Sequence, residues 1–255
     1  MNEHKIIGIL GGLGPAAGAD LFNKIIEETV ATCDQDHPSV ALLSYSDQIP
    51  DRATYIRDQT MPNPVQPMWD VLMHLQAVGA SVAAIPCITA HVPVIFGVLR
   101  NRLSEEGHSM HLLSIIEETI RFIQVQFPNI QYVGAISTWT TKRNKLFEQA
   151  LTAAGLTFIP PDDFIQDGVE AAIYDPQFGI KAVSNPVHPQ ARENLVVSLR
   201  HLQQKGAEAV ILGCTELPIG IPEAELEGVK TIDPTRALGR ALVAAVAPDK
   251  LRPLS

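Results

Sequence analysis

The sequence predicts an α/β protein of two similar lobes, each with a central parallel sheet, related to one another by a pseudo-twofold. Short continuous apolar runs such as Lys5-Ile6-Ile7-Gly8-Ile9-Leu10 and Ala209-Val210-Ile211-Leu212-Gly213 have the pattern of strands buried on both faces of a parallel sheet. They alternate with segments whose apolar residues recur at helical spacing, the order of a βα-rich fold. The third observation is an internal repeat: 79 residues separate Gly8 from Cys87 and 80 separate Gly134 from Cys214. Both intervals enclose a similar succession of strand and helix.

The elements follow in order. After the first strand, Gly11-Gly12-Leu13-Gly14-Pro15 makes a turn, and the proline suits the first turn of a helix striped by Leu21, Ile25, Ile26 and Val30. Val40–Ser44 is the second strand, and the loop Ser46–Arg52 lies at the same sheet edge as the glycine turn. Met61–Pro67 is too proline-rich for an element and is expected as a surface loop or lid. Met68, Val71, Leu72, Leu75 and Val78 stripe a helix that Gly79 ends, and Ser81–Pro86 is a buried strand delivering Cys87. A helix from Val92 to Leu103, a strand from Met110 to Ile115 and a helix from Ile116 to Phe127 follow.

The same design then starts again with Tyr132–Thr138. A helix from Lys142 to Ala154 and a strand from Leu156 to Pro160 come next, and Pro161–His188 holds one short helix, Val169–Tyr174. Leu195, Leu199 and Leu202 mark a helix closing at Gly206, Ala209–Gly213 delivers Cys214, and Val229–Ile232 precedes a last helix, Thr235–Val246. The lobes are expected at residues 1–105 with 235–255, carrying Cys87, and at 106–234, carrying Cys214. In open α/β sheets ligands bind beyond the carboxyl ends of strands, so the site is expected between the halves.

Composition narrows the function. At 255 residues, with 46% hydrophobic and 18% charged residues, the chain is expected to be folded throughout and is long enough to bury a real core. Nineteen Lys and Arg against 28 Asp and Glu give a net charge of −9. With no basic run, nucleic acid and anionic membranes are disfavoured as partners. The N-terminal Met1-Asn2-Glu3-His4 runs straight into a strand, and no apolar stretch reaches the length of a membrane span. Three cysteines, none in a C-x-x-C pair, make no disulfide framework. A cytoplasmic protein with reduced thiols is expected.

Cys87 and Cys214 each follow a buried strand at a junction with a helix, where backbone N–H groups lower a thiol pKa and hold carboxylates. Free cysteine also simply packs in cores, which is the expectation for Cys33. Two thiols on opposite sides of an amino-acid α-carbon meet the needs of proton removal and return, as base and acid that exchange roles. Thr89 and Thr215 are placed to bond a substrate carboxylate or to cap a helix.

Gly11-Gly12-Leu13-Gly14-Pro15, Pro86-Cys87-Ile88-Thr89-Ala90-His91 and Gly213-Cys214-Thr215-Glu216-Leu217-Pro218 together resemble the signatures of the aspartate/glutamate racemase superfamily, most closely its aspartate racemase branch. The resemblance spans nearly the whole chain. It implies a two-base racemase needing no cofactor, pyridoxal phosphate included, with two α/β lobes, often dimeric, acting on a small acidic amino acid. Cys87 and Cys214 match the acid/base thiols, Thr89 and Thr215 the carboxylate-binding threonines, and Arg52 an arginine for the substrate side-chain carboxylate, where bidentate pairing suits the role; a surface ion pair with Asp51 is the alternative. Gly12, in the matching glycine turn, is a further substrate-binding candidate, and Asp47 and His91 are supporting ones. Glu216 stands where glutamate racemases usually have histidine, and either tunes Cys214 or caps a helix.

Two positions depart from the family pattern. Ile88 replaces the asparagine of a Cys-Asn-Thr motif, which permits a substrate other than aspartate. The lysine usual after an Ile-Tyr pair has no clean equivalent after Ile173-Tyr174, and Lys181 is the nearest candidate. Glutamate or broad-specificity racemisation and a non-catalytic carboxylate-binding protein are the alternatives. A one-thiol decarboxylase of the superfamily is disfavoured by the second cysteine. Gly12-x-Gly14-x-x-Ala17 lacks the acidic partner of a dinucleotide fingerprint, and no P-loop, G-x-S-x-G elbow or metal-ligand spacing occurs, His108 and His111 included. His91 is expected either near the substrate or satisfied by local backbone.

Overall fold

The structure is a computed structural model and describes residues 5–254; the expected lead-in Met1–His4 lies outside them. Two compact units divide the chain. The first runs to Glu118 and resumes at Thr235, and the second is Thr119–Pro234.

The first unit holds β1 (Ile6–Gly11), α1 (Pro15–Glu27), β2 (Ser39–Ser44), α2 (Arg52–Arg57), α3 (Val65–Ala77), β3 (Ala80–Ala84), α4 (Val98–Glu105) and β4 (His111–Leu113). Its four strands pair in parallel in the order β2-β1-β3-β4. The chain passes into the second unit along α5 (Ile115–Gln126). There β5 (Tyr132–Ser137), α6 (Trp139–Arg143), α7 (Leu146–Ala153), β6 (Thr157–Ile159), α8 (Asp163–Tyr174), α9 (Pro189–Gln204), β7 (Ala209–Gly213), α10 (Leu217–Gly220), β8 (Glu225–Leu226) and β9 (Val229–Ile232) follow, before α11 (Pro234–Val246) re-enters the first unit. The second sheet has the order β6-β5-β7-β9-β8, parallel except for the β8 edge. Among the described residues no helix is long and apolar enough to cross a membrane.

The four parallel strands of each unit share one order, and one packing device recurs in both. A Cβ at Gly8 in β1 would lie 3.3 Å from Leu75 Cδ1, and one at Gly134 in β5 would lie 3.0 Å from Leu202 Cδ1. In each unit a glycine in the first strand therefore admits a leucine of the helix before the cysteine strand. Gly79 and Gly206, both at φ 93°, then end those helices in the left-handed conformation that favours glycine. Each stands eight residues before its cysteine. That equal spacing, and not the apolar strands alone, underlies the repeat.

Several boundaries differ from expectation for local reasons. The division falls after Glu118, later than residue 105, because β4 pairs with β3 and so belongs to the first sheet. Sheet membership is set by a distant partner, which local pattern does not encode. The proline-rich 61–67 segment is partly helical: α3 starts at Val65, and Pro67 sits in its first turn, where no intrahelical N–H bond is needed. Arg52–Arg57 is a helix, capped by the Asp51 carboxylate accepting from Thr54 N at 2.7 Å. The expected 142–154 helix is two helices, broken at Lys145, which takes φ 54°. α8 begins at Asp163, six residues before the predicted start.

Gly213 closes β7 under Phe147. An added Cβ would stand 2.7 Å from Phe147 Cε2 and 2.9 Å from Ser137 Cβ. Gly213→Ala is expected to lower stability by about 1–3 kcal/mol, the usual cost of overpacking a filled core, measured by urea denaturation.

Candidate active site

In the first unit the parallel strands end at one edge, and the chain beyond β1 presses on the chain beyond β2. Gly12 takes φ 87°, and a Cβ there would lie 2.9 Å from the backbone nitrogens of both Tyr45 and Ser46. Only glycine meets both demands. The carbonyl of Leu13 accepts a hydrogen bond from Arg52 Nη2 at 3.0 Å, and that of Pro50 accepts from Nη1 at 3.4 Å. The Nε of Arg52 is buried without a partner. Arg52 makes no ion pair among the described residues, because Asp51 is committed to capping α2; the surface-pair alternative is not found. Asp47 is exposed in the turn that follows Ser46.

Cys87 lies three residues beyond β3 and is buried. Its N–H donates to the Ile85 carbonyl at 2.8 Å, and its own carbonyl accepts from Ala90 N at 3.2 Å. His91 is buried beside it: Nδ1 donates to the Cys87 carbonyl at 2.9 Å, and Nε2 accepts from Ile115 N at 3.2 Å. A ring accepting at Nε2 and donating at Nδ1 is the neutral tautomer. Burial holds the imidazole pKa down at about 4. Both ring nitrogens of His91 are thus satisfied by backbone groups. Thr89 is half-buried and caps nothing: the helical turn Ile88–His91 has no side-chain cap. Ile88 is buried.

In the second unit Cys214 directly follows β7, in the core cluster that includes Leu212, Leu217 and Ile221. The thiol donates to Glu216 Oε2 at 2.9 Å. Thr215 Oγ1 donates to the same oxygen at 3.4 Å, and Lys181 Nζ forms an ion pair with Oε1. Glu216 therefore caps nothing, since its carboxylate is turned to Cys214 and Lys181. A tight turn after α8 delivers Lys181: a Cβ at Gly179 would stand 2.6 Å from the Asp175 carbonyl oxygen, and Lys181 N donates to Ile173 O at 3.1 Å.

The expectation of an acidified thiol at this junction is corrected for Cys214. Burial, then the Glu216 charge, push its pKa well above that of a free thiol, and Lys181 opposes them more weakly. At neutral pH Cys214 therefore carries its proton. Sequence reasoning missed Gln166, which is fully buried and donates to the Ser137 carbonyl at 2.5 Å where β5 ends. One glutamine in an amphipathic helix leaves no sequence signal. Cys33 is exposed, and no cluster of three His, Cys, Asp or Glu suited to a metal occurs among the described residues.

In each unit a buried cysteine follows the strand that stands third in the shared order, β3 or β7, with a threonine one or two residues further on. The Asp/Glu/Hydantoin racemase family profile matches residues 10–242, and the chain belongs to that family. The broad specificity amino-acid racemase RacX of Bacillus subtilis is 26% identical over 242 residues, covering 93% of this chain and 96% of that protein. The aspartate racemase of Picrophilus torridus has the same fold, with TM-score 0.75 and 24% identity over 95% of this chain and 94% of its own. So does the Francisella tularensis glutamate racemase solved with D-glutamate, with TM-score 0.62 and 16% identity over 99% of this chain and 84% of its own.

Two predictions follow from these environments. Glu216→Gln removes the charge beside Cys214 and is expected to move its alkylation by iodoacetamide to lower pH. Lys181→Met is expected to move it higher, with both profiles measured by peptide mass spectrometry. His91 binds fewer protons folded than unfolded between about pH 6.5 and about 4, so its contribution is complete above 6.5 and is lost as pH falls through that window. The loss is about 3 kcal/mol at 1.36 kcal/mol per unit. His91→Phe is expected to flatten the stability–pH curve there, followed by urea denaturation across pH.

Proposed function

We propose that this chain is a cofactor-independent racemase interconverting L- and D-aspartate or a close acidic analogue, with Cys87 and Cys214 as its acid/base pair. The observation that carries the reading is the Cys214 thiol, buried and hydrogen-bonded to Glu216 so that it rests protonated. In one direction the Cys87 thiolate takes the α-proton, and the electron pair left on carbon is delocalised into the carboxylate. Cys214 then delivers its proton to the opposite face, leaving a Cys87 thiol and a Cys214 thiolate; the reverse direction exchanges the roles. As Cys214 gives up its proton, Lys181 offsets the pair of negative charges formed by its thiolate and Glu216.

Binding is assigned to Thr89, Thr215 and the glycine turn at Gly12 for the substrate α-carboxylate, and to Arg52 for the side-chain carboxylate. The Arg52 Nε, buried without a partner, favours an acceptor arriving there. A second reading, racemisation of a broader set of amino acids, is favoured by the RacX relative and by Ile88 in place of the family asparagine. Carboxylate binding without chemistry is the weaker account, because binding alone needs no thiol aimed at a carboxylate.

The test is incubation of the purified protein in D₂O with L-aspartate, L-glutamate and a panel of non-acidic L-amino acids. Optical rotation and α-deuterium are followed for the wild type, Cys87→Ser and Cys214→Ser. Racemisation with deuterium incorporation, lowered about 10²–10⁴-fold by either substitution, is the expected result. Exchange with the non-acidic amino acids at comparable rate selects the broader reading, and exchange with none contradicts both.

A further inference from the structure

Three elements of the first unit meet at His91. Cys87 belongs to the segment leaving β3, Ile115 opens α5, and the imidazole bridges them by accepting the Ile115 N–H and donating to the Cys87 carbonyl. The first N–H groups of a helix have no intrahelical acceptor, so the ring supplies one from another segment. Its other nitrogen grips the main chain of the cysteine itself. The ring stacks on Phe96 at 4.3 Å between centroids, and the Arg100 guanidinium lies 4.8 Å over that phenyl ring. Arg100 in turn holds Glu117 of α5 through two hydrogen bonds of 2.7 and 2.9 Å. The bridge and the clamp thus converge on the same first turn of α5.

We propose that His91 is a positioning residue for Cys87, registering the cysteine main chain against the start of α5 through both ring nitrogens. The inference rests on the assignment of Cys87 as an acid/base thiol. A protonated ring would lose the Ile115 bond and an apolar ring would lose both, so the bridge needs neutral imidazole, the form that burial enforces. The charged groups facing this assembly are Arg100 and Glu117, already committed to each other. Displacing a proton-transfer group by fractions of an ångström impairs the chemical step far more than substrate binding, which separates positioning from a contact with substrate.

The variants are His91→Phe, which keeps the ring on Phe96 and loses both bonds, and His91→Gln, which keeps a donor for the Cys87 carbonyl. Three quantities are read: kcat and KM, iodoacetamide alkylation of Cys87 and Cys214 by peptide mass spectrometry, and amide exchange across residues 87–91 and 115–118. His91→Phe is expected to lower kcat at least tenfold with KM within about threefold. Cys87 is expected to be alkylated at least threefold faster with Cys214 unchanged, and exchange is expected to accelerate in both segments. His91→Gln is expected to fall between it and the wild type. Unchanged kcat, Cys87 alkylation and local exchange in either folded variant would overturn the proposal, and equal acceleration at both cysteines would reduce His91 to general stability. Should the wild type racemise nothing, the alkylation and exchange results still decide whether His91 registers Cys87, separately from the enzymatic reading.

Discussion

Parallel pairing of β1 with β3 and of β5 with β7 is the constraint on which the remaining features depend. Parallel strands all leave the sheet at one edge, and helices must cover both faces, so the strands are continuous apolar runs and the polar chemistry is confined to that edge. In each unit a strand glycine lets a helix leucine close on the sheet, and a left-handed glycine eight residues before the cysteine turns the chain into the cysteine strand. The two cysteines therefore follow corresponding strands in two sheets of shared order, each at the same distance from its glycine. A sequence free to pair its strands antiparallel would scatter these residues over both edges.

The environments built on this common frame are unlike. Cys214 directly follows its strand and faces a carboxylate, so its electrostatics are set by Glu216 and Lys181. Cys87 stands three residues beyond its strand, and what fixes it is a main-chain bond to a neutral histidine. Among the described residues only Cys214 has an ionised side chain hydrogen-bonded to its sulfur, and that carboxylate with burial keeps its proton in place. The carboxylate beside Cys214 has a cost: a thiolate at that position would meet a second negative charge in a buried place, which the Lys181 ammonium would offset.

Strands and cysteine positions were legible in the sequence because their signals are local: unbroken apolar runs, glycine stops and a cysteine at a fixed offset. What was not legible depends on distant partners. β4 belongs to the first sheet through pairing with β3, which no pattern near residue 111 records. The break at Lys145 carries neither glycine nor proline, and Lys in the left-handed region has no compositional mark. Lys181 was a weak candidate by motif, and only the tight turn at Gly179 brings it to Glu216, 35 residues on. The Cys214 pKa runs opposite to what a strand–helix junction alone implies. α10 is four residues long, and burial with a carboxylate at 2.9 Å outweighs the pull of so short a helix.

The central claim is that Cys214 is held as a protonated donor. It is tested most directly by following thiolate absorbance near 240 nm against pH in the Cys33→Ser/Cys87→Ser protein, where Cys214 is the sole thiol. The account predicts no thiolate until well above pH 9 while the fold persists, followed by deprotonation together with unfolding. A thiol titrating at or below about pH 8.5, the ordinary value for cysteine, in the folded protein would contradict it.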